Sequence, residues 1–376
     1  MRNRESAIGR RRFVKGLWGA IGFGGVGSLA GPRRVCGEAG ASFRELIARD
    51  IASGMAPGVV VMVTRAGKIL IHEGYGLART NPRIPMRPDA IFDVASVTKV
   101  VATAAACAIC VDDGLVDIDA PVGRYLPAMG PGGRDIRIRD LASHMSGFDN
   151  TKGYLAEVQR GADPVAAIQR ERPVRQPGEA YKYACINLML LGFVVEAVSG
   201  LRLDEFCQRR IFKPLGMRDT RFGPIDGADT RVVKMVNAEP GVISDDPARA
   251  AGRPLGNAGL FSTSADLGRF ATAVLGGGSL EGVRILSPEA TVLFERPLNR
   301  PPHHPRSFGW DLGPELRPVG LSGRAYCHTG WTGQSLYLDP GSGICVIVLS
   351  NRTGDHDLAK AQRREIATTI LREVAS

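Results

Sequence analysis

The sequence of 376 residues lacks the features that mark repeat, disordered or membrane-spanning proteins. It contains no internal repeat and no low-complexity tract. After residue 31, no apolar run reaches the roughly 18–20 residues that a membrane-spanning helix needs, so we expect no stable membrane anchor. The chain is long enough for one large unit, or two closely packed lobes, with a sizeable core.

Several familiar catalytic and binding motifs are also missing. There is no Gly-x-Ser-x-Gly elbow, so the sequence does not support a serine hydrolase of the α/β-hydrolase fold. There is no His-Glu-x-x-His, and His303-His304 lies in a proline-rich stretch, so neither a metal nor another cofactor is expected. Gly67-Lys68 lacks the glycine-rich run of a phosphate-binding loop.

The positive charge of the chain is concentrated at its N-terminus. The formal net charge is +10, and residues 1–41 contribute +6 of it through eight basic and two acidic side chains. The +4 that remains describes a mildly basic protein. Because it has no basic stripe with interleaved aromatics, nucleic acid is not an expected partner.

The first forty residues have the pattern of an export signal. Arg10-Arg11-Arg12-Phe13-Val14-Lys15 fits the twin-arginine pattern, an uncharged glycine-rich segment follows over 16–31, and Ala39-Gly40-Ala41 is a small-x-small cleavage site. We therefore predict a twin-arginine signal peptide at 1–41 and a periplasmic or secreted protein at 42–376, with the twin-arginine export machinery as a partner of the precursor. An uncleaved basic amphipathic arm is the alternative, although its glycines would make a poor helix.

The pattern of the remaining chain predicts strands at both ends and helices between them. The predicted strands are 58–64, 69–75, 324–329, 335–339 and 344–350, and the clearest predicted helices are 43–52, 96–114, 140–144, 186–198, 203–212, 264–275 and 357–374. This order favours one sheet built from both ends of the domain. The sheet lobe would comprise about 42–95 and 300–376, and the helical lobe about 96–299.

Ser96-Val-Thr-Lys99 is the first candidate for chemistry. Positions i and i+3 lie on one face of a helix, so the two side chains can meet. A serine hydroxyl needs a neighbouring base, and a partly desolvated lysine can have its pKa lowered enough to serve. The alternative is that Ser96 only caps the N-terminus of a helix and that Lys99 is exposed to solvent. The helix that follows is apolar on all of its faces, however, so we expect Lys99 to be buried.

Two further groups carry candidate residues. In Tyr181-Lys-Tyr183-Ala-Cys185-Ile-Asn187, the Tyr183 phenol can shuttle protons beside a lysine; the alternative is a half-buried aromatic at a helix start. In His328-Thr-Gly330-Trp331, glycine lets a ligand approach the backbone N–H groups of a strand; the alternative is a hairpin turn with a surface histidine.

Together these groups resemble the superfamily of serine β-lactamases, DD-peptidases and family VIII esterases, marked by Ser-x-x-Lys, Tyr-x-Asn and Lys-Thr-Gly or His-x-Gly. The resemblance runs over about residues 43–370 and includes the connecting stretches 141–147, 257–262, 308–311 and 338–340. It implies an α/β (α+β) fold of the β-lactamase/transpeptidase type, an antiparallel sheet flanked by helices plus a mostly helical lobe. It also implies that Ser96 is acylated, that Lys99 and Tyr183 handle the proton, and that the N–H groups of Ser96 and Trp331 hold the oxyanion.

Two departures from the family pattern bear on the substrate. Cys185 replaces the asparagine of Tyr-x-Asn and cannot supply an amide, a loss for which Asn187 is a candidate to compensate. His328 replaces the lysine of Lys-Thr-Gly, and a partly charged imidazole is a weaker anchor for a carboxylate. Both departures weaken the case for an efficient β-lactamase and favour simpler esters or a peptide-like ligand held differently, and carboxylic esters are the substrates that we predict. The alternatives are a D-alanyl-D-alanine carboxypeptidase or β-lactamase acting on a peptidoglycan-like peptide or a β-lactam, and a penicillin-binding sensor that is acylated without turnover.

Overall fold

The structure, a computed structural model, describes residues 41–150, 153–299 and 301–375. The predicted signal peptide lies outside the described residues except for its last position, Ala41. The chain from Ala41 onward forms one unit.

The helices and strands of the described residues follow the predicted order. The α-helices are α1 (Phe43–Ala52), α2 (Ala105–Asp112), α3 (Ile138–Ala142), α4 (Gly153–Gln159), α5 (Pro164–Gln169), α6 (Cys185–Ser199), α7 (Leu203–Cys207), α8 (Asp246–Ala250), α9 (Ser264–Leu275), α10 (Pro288–Thr291) and α11 (His356–Ala375). The strands are β1 (Gly58–Arg65), β2 (Lys68–Thr80), β3 (Arg83–Pro85), β4 (Phe92–Asp93), β5 (Arg221–Phe222), β6 (Leu260–Ser262), β7 (Ser279–Leu280), β8 (Val283–Arg284), β9 (Tyr326–Gly330), β10 (Gln334–Asp339) and β11 (Ile344–Ser350).

The main sheet joins the two ends of the domain. Its order is β3-β2-β1-β11-β10-β9, and its neighbouring strands are antiparallel. The N-terminal strand β1 pairs with the C-terminal strand β11, with Val61 opposite Val348. The prediction of an antiparallel sheet flanked by helices is therefore confirmed.

Strand β1 is apolar along nearly its whole length because both of its faces are covered. Val59, Val61 and Val63 pack in a cluster with residues of α1 and α11. On the opposite face, Met62 belongs to the larger core, and a Cβ at Gly268 of α9 would lie 2.9 Å from its methyl carbon. Helix α9 therefore packs on the sheet, although the predicted division places it in the helical lobe.

The long helix predicted over 96–114 is divided into three pieces. A 3-10 turn covers Ala95–Val97, a π-helical segment covers Lys99–Ala104, and α2 completes the run. The prediction of one continuous helix is therefore wrong at its N-terminal end. Helix irregularities of this kind are frequent at functional sites, and this one carries Ser96 and Lys99.

The expectation that no apolar run after residue 31 reaches about 18 residues is wrong for one segment of the described residues. Ala95–Asp112 has the length and composition of a membrane span among the described residues, and Cys185–Ser199 with Leu203–Phe212 has them only as a pair bent by 75°. The first segment is 83% buried inside the protein, which is the environment of a core helix. Its apolar surface is therefore covered by the protein's own side chains.

Candidate active site

Ser96 sits on a tight turn that follows strand β4. The preceding residue, Ala95, has φ of 45°, a left-handed conformation that costs a residue with a side chain on the order of 1–3 kcal/mol. The buried carboxylate of Asp93 holds this turn by accepting hydrogen bonds from the N–H groups of Ala95 at 2.9 Å and Ser244 at 2.7 Å. Ser96 itself is half-buried.

Lys99 contacts Ser96 directly. Its Nζ donates a hydrogen bond to Ser96 Oγ at 3.0 Å and another to the carbonyl oxygen of Asn257 at 2.8 Å. Lys99 is fully buried, as the apolar surroundings predict. A 3-10 turn brings positions i and i+3 onto one line, which explains why the contact forms although the turn is not α-helical.

The expected lowering of the Lys99 pKa does not occur. Burial acts to lower this pKa, but Cys185 and Tyr183, which become negative when they ionise, outweigh burial and raise the pKa above its ordinary value. Lys99 is therefore an ammonium in the resting site. Such a group can orient the serine hydroxyl and stabilise negative charge nearby.

Tyr183 lies beside this ammonium. The centroid of its ring is 5.3 Å from Lys99 Nζ and 4.5 Å from the ring of His144. His144 is buried and has φ of 59°, and burial lowers its pKa well below the ordinary value. The neutral His144 ring thus packs against the ring of Tyr183. Sequence analysis missed this role, although His144 falls in the family-typical stretch 141–147.

Asn187 is directed away from the substrate side. Its Nδ2 donates to His144 Nδ1 at 3.0 Å, and its Oδ1 accepts from Ser146 Oγ at 2.6 Å. It is fully buried, so both ends of the amide are committed to the protein. The idea that Asn187 compensates for Cys185 is therefore wrong; it fixes His144 instead.

Cys185 is the first residue of α6 and is half-buried. Its N–H donates to Asn150 Oδ1 at 3.1 Å, and Asn150 lines the cavity in front of Ser96. A carboxamide from a different loop thus lies next to the altered motif position. No sequence pattern marks Asn150, because it comes next to Cys185 only in the folded chain.

Strand β9 packs closely against the Ser96 turn. A Cβ at Gly330 would lie 2.9 Å from the carbonyl oxygen of Val94 and 2.3 Å from Gln334 Oε1, so only glycine permits this approach. The next residue, Trp331, is 51% exposed, and its carbonyl accepts a hydrogen bond from Arg352 Nε at 2.9 Å. The strand end that follows Gly330 is therefore held beside Ser96.

His328 is buried and neutral. Its Nδ1 lies 3.0 Å from the carbonyl oxygen of Thr329, and its ring is 6.2 Å from that of Tyr183. Burial lowers the pKa of His328 well below its ordinary value, and the positive charges of Arg306 and Lys99 lower it further. The expectation of a partly charged His328 near neutral pH is therefore wrong.

A cavity of about 390 Å³ opens in front of Ser96. Its wall includes Tyr181, Tyr183, His328, Trp331 and Arg306, with the remaining lining from Ser96, Asn150, Asp311, Leu316, Thr329, His356 and Lys360. The predicted residues Ser96, Tyr183, His328 and Trp331 therefore meet at one cavity.

The cavity wall also holds an ion-pair network that sequence analysis did not identify. Buried Arg306 donates to Asp311 Oδ2 at 2.8 Å, and His304 Nε2 lies 2.9 Å from the same oxygen. The hydrogen bond with Asp311 raises the pKa of His304. Asp311 is the last residue of the family-typical stretch 308–311, and this stretch was the sequence signal that could have identified the network. Among the described residues, no group of three His, Cys, Asp or Glu side chains could hold a metal ion.

A Ser-Lys-Tyr arrangement beside the edge strand β9 of an antiparallel sheet is that of a serine hydrolase of the β-lactamase and penicillin-binding type. Residues 43–369 match the family model described as Beta-lactamase. The chain therefore belongs to the Beta-lactamase family.

Two similar proteins are named for different activities. An N-acetylmuramyl-L-alanine amidase of Bacillus subtilis is 28% identical over 359 residues, which cover 82% of this chain and 80% of the relative. A putative D-alanyl-D-alanine carboxypeptidase of Salmonella schwarzengrund is 28% identical over 343 residues, covering 79% of each chain.

Solved structures support the same fold. EstCE1, a hydrolase with promiscuous acyltransferase activity, superposes on this chain with a TM-score of 0.73 at 21% sequence identity. The superposition covers 87% of this chain and 97% of the EstCE1 chain. A family VIII carboxylesterase superposes with a TM-score of 0.70 at 22% identity, covering 86% and 95%. At these sequence identities, the structural similarity supports the fold alone.

Proposed function

We propose that this protein is an exported serine esterase that works through an acyl-enzyme on Ser96. The observation that carries the proposal is the 3.0 Å contact between the buried Lys99 Nζ and the Oγ of Ser96, a serine that lines the same cavity as Tyr183. A fully buried lysine is rarely retained unless it is paired or functional, and this one is paired with a serine.

The first half of the proposed reaction forms the acyl-enzyme. Ser96 Oγ attacks the ester carbonyl carbon, and the carbonyl oxygen becomes an oxyanion held by the N–H groups of Ser96 and Trp331. The Lys99–Tyr183 pair, which holds one proton fewer than an ammonium with a phenol, accepts the hydroxyl proton, and Tyr183 is the member of the pair that lines the cavity. A positive charge on Lys99 stabilises negative charge on the Tyr183 oxygen whenever that oxygen gives up the proton. Collapse of the tetrahedral intermediate expels the alcohol, which takes the proton back from Tyr183.

The second half reverses these roles with water. A water molecule attacks the acyl carbonyl and gives a proton to Tyr183. The second tetrahedral intermediate then releases the carboxylic acid, and Ser96 Oγ recovers the proton from Tyr183. Lys99 keeps its hydrogen bond to the Asn257 carbonyl throughout and acts as a fixed positive charge.

Two features favour esters over amide-like substrates. The position of the Lys-Thr-Gly lysine is occupied by a neutral imidazole, so it offers no positive charge to a carboxylate. Cys185 supplies no carboxamide. The family VIII carboxylesterase of similar fold supports the same preference.

D-alanyl-D-alanine carboxypeptidase activity is the second candidate. Arg306 favours it, because its guanidinium lines the cavity and could face the terminal carboxylate of a peptide. The Salmonella relative of that name supports it as well. The ion pair with Asp311 at 2.8 Å, however, already compensates part of the Arg306 charge.

The experiment is a side-by-side assay of p-nitrophenyl butyrate, nitrocefin and a D-Ala-D-Ala peptide with purified mature protein. We expect sustained turnover of the ester and poor turnover of the other two. Faster release of D-alanine than of nitrophenol would favour the carboxypeptidase. One equivalent of product followed by no further turnover on all three substrates would identify a penicillin-binding sensor.

A further inference from the structure

A second cavity is separate from the one in front of Ser96. Its volume is about 510 Å³, and none of its lining residues lines the Ser96 cavity of about 390 Å³. It opens where the start of α7, the end of β5 and helix α8 come together. Small-molecule sites in proteins have volumes of roughly 300–1,000 Å³, so this cavity has the size of a binding site.

Arginine side chains dominate the polar part of the wall of this second cavity. Arg202, Arg249 and Arg253 line it, and Asp204 is the one acidic side chain among its described lining residues. The three arginine side chains keep 57%, 41% and 25% of their surface accessible, so a solute in the cavity can reach them. This excess of basic groups on the wall suits an anion.

Each of the three arginines already donates to a neighbouring group but keeps a nitrogen without a partner. The acceptors are Asp204 for Arg202, Asp246 and the Ile243 carbonyl oxygen for Arg249, and Glu196 for Arg253. Nη1 of Arg202, Nε of Arg249 and Nη1 of Arg253 have no hydrogen-bond partner among the described residues. Because a guanidinium has five N–H groups and binds a carboxylate through pairs of them, each arginine has donors left for an anion.

Apolar side chains form the other part of the wall. They belong to Phe222, Pro224, Val242, Ile243, Ala248 and Pro254. Val242 is 36% exposed, although removing a valine side chain from water is favourable. An alkyl chain that fills the cavity covers this apolar surface, so the wall suits a molecule with an anionic end and an apolar end.

We propose that this cavity binds a carboxylate with an alkyl chain of medium length, and octanoate is the probe that represents this class. The carboxylate pairs with the arginine side chains, and the alkyl chain packs on the apolar part of the wall. Because each end of the molecule uses only one part of the wall, tight binding requires the charge and the chain together. The inference concerns a second site and goes beyond the proposed hydrolysis at Ser96.

Titration calorimetry with the purified protein measures this binding directly. We expect one octanoate per chain with a dissociation constant of about 1 mM or below, the affinity that about ten non-hydrogen atoms provide. Octylammonium has the same chain and the opposite charge, so the arginines should repel it and weaken its binding by about tenfold or more. Acetate has the charge without the chain and should show no binding at about 10 mM.

Variants of Val242 test whether the ligand lies in the second cavity. Val242→Glu places a carboxylate beside the apolar wall, so it should weaken octanoate binding by about tenfold and strengthen octylammonium binding. Val242→Gln is the uncharged match and should weaken octanoate binding by less than about threefold. Circular dichroism shows whether each variant is folded.

Two further variants separate this cavity from the one in front of Ser96. Arg202→Gln removes an accessible guanidinium and should weaken octanoate binding by about threefold, and it decides the test if Val242→Glu does not fold. Lys360 lines the Ser96 cavity, so Lys360→Gln is the control and should leave the dissociation constant of octanoate unchanged.

Equal affinities for octanoate and octylammonium would overturn the inference, and so would the absence of octanoate binding at about 10 mM. An affinity that falls in Lys360→Gln, but not in Val242→Glu or Arg202→Gln, would place octanoate in the Ser96 cavity and overturn the inference as well. None of these measurements uses ester turnover, so their failure leaves the proposed function untouched.

Discussion

Asn187 and His144 form a buried support for the Tyr183 ring. Asn187 donates to His144 Nδ1, which also accepts from the N–H of Ala184 at 3.2 Å, and His144 packs against Tyr183 at 4.5 Å between ring centroids. Neither Asn187 nor His144 is among the residues that line the cavity. The position of the tyrosine oxygen therefore depends on residues that do not face the substrate.

Asn187→Ala should lower both stability and kcat. It removes the hydrogen bonds to Ser146 and His144, which costs about 1–3 kcal/mol of unfolding free energy in urea. We expect kcat for p-nitrophenyl butyrate to fall by about tenfold or more with a small change in KM, because misplacement of a catalytic group by 1 Å costs up to about a hundredfold. Ser199→Ala, at the other end of α6, is the control and should keep kcat. An unchanged kcat in Asn187→Ala would refute the support role.

Residue identities could be predicted from sequence where the motif itself carries the chemistry. Ser96-x-x-Lys99 is such a case, and the contact forms as expected. The charge states could not be predicted, because they depend on neighbours that folding supplies. Lys99 gains Cys185 and Tyr183, and His328 gains burial beside Arg306, a residue 22 positions earlier in the chain.

At the scale of elements, the distance between β9 and the Ser96 turn controls the site. Gly330 has no side chain, which lets β9 approach the carbonyl oxygen of Val94. Gly330→Ala should push the strand away, lower stability by about 1–3 kcal/mol and lower kcat/KM by about tenfold or more. The control is Gly130→Ala, whose new Cβ would meet only ordinary contacts at 3.4–3.6 Å. Wild-type kinetics in Gly330→Ala would contradict this account of the strand.

Helix α1 contains a carboxyl group in an unfavourable place. Asp50 is 5% exposed and lies in the last turn of α1, where the helix dipole disfavours negative charge. Burial raises the pKa of Asp50 to about 6. Its unfolded value is about 3.9, so the folded state binds the proton more tightly, and stability falls as pH rises through this interval.

Asp50→Asn should therefore stabilise the protein at neutral pH. We expect a gain of about 1–3 kcal/mol at pH 7.5 that shrinks towards zero near about pH 3, where the wild-type carboxyl is protonated in both states. Urea unfolding at several pH values measures it. The exposed carboxyl in Asp135→Asn is the control and should change little at any pH. A pH-independent effect at Asp50 would show that the charge is not its cause.

Element types were more predictable than their internal geometry. Helix α9 and strand β11 have the predicted bounds because their apolar patterns and caps are local. The break of the 96–114 helix into 3-10, π and α segments could not be predicted. It is imposed by tertiary contacts, including the hydrogen bonds that Lys99 and Thr103 donate to the carbonyl oxygens of Asn257 and Gly256.

The unit from Ala41 onward is closed by its own first and last elements, since β1 pairs with β11 and α1 packs with α11. The proposed signal peptide precedes α1 directly. Helix α1 begins with a capping box formed by Ser42 and Glu45, so a chain that starts at Ser42 keeps every element of the described residues. This arrangement is compatible with cleavage after Ala41.

Export should depend on the paired arginines. Changing both Arg10 and Arg11 to Lys should trap the precursor in the cytoplasm, because a lysine point charge does not replace the planar guanidinium that a receptor reads. The matched control changes Arg33 and Arg34 to Lys and should be exported. Mass spectrometry of the periplasmic protein should give an N-terminus near Ser42. Normal periplasmic amounts of the Arg10 and Arg11 variant would refute the twin-arginine prediction.

The most direct test of the central claim is the loss of turnover and labelling in Ser96→Ala. We expect a folded protein with no fluorophosphonate adduct and an ester rate below about one hundredth of the wild type, because catalytic units of this kind lose nearly all activity when one member is removed. Ser199→Ala should keep both adduct and rate. A Ser96→Ala protein that still forms the adduct, or that retains more than about a hundredth of the rate, would contradict the assignment of Ser96 as the nucleophile.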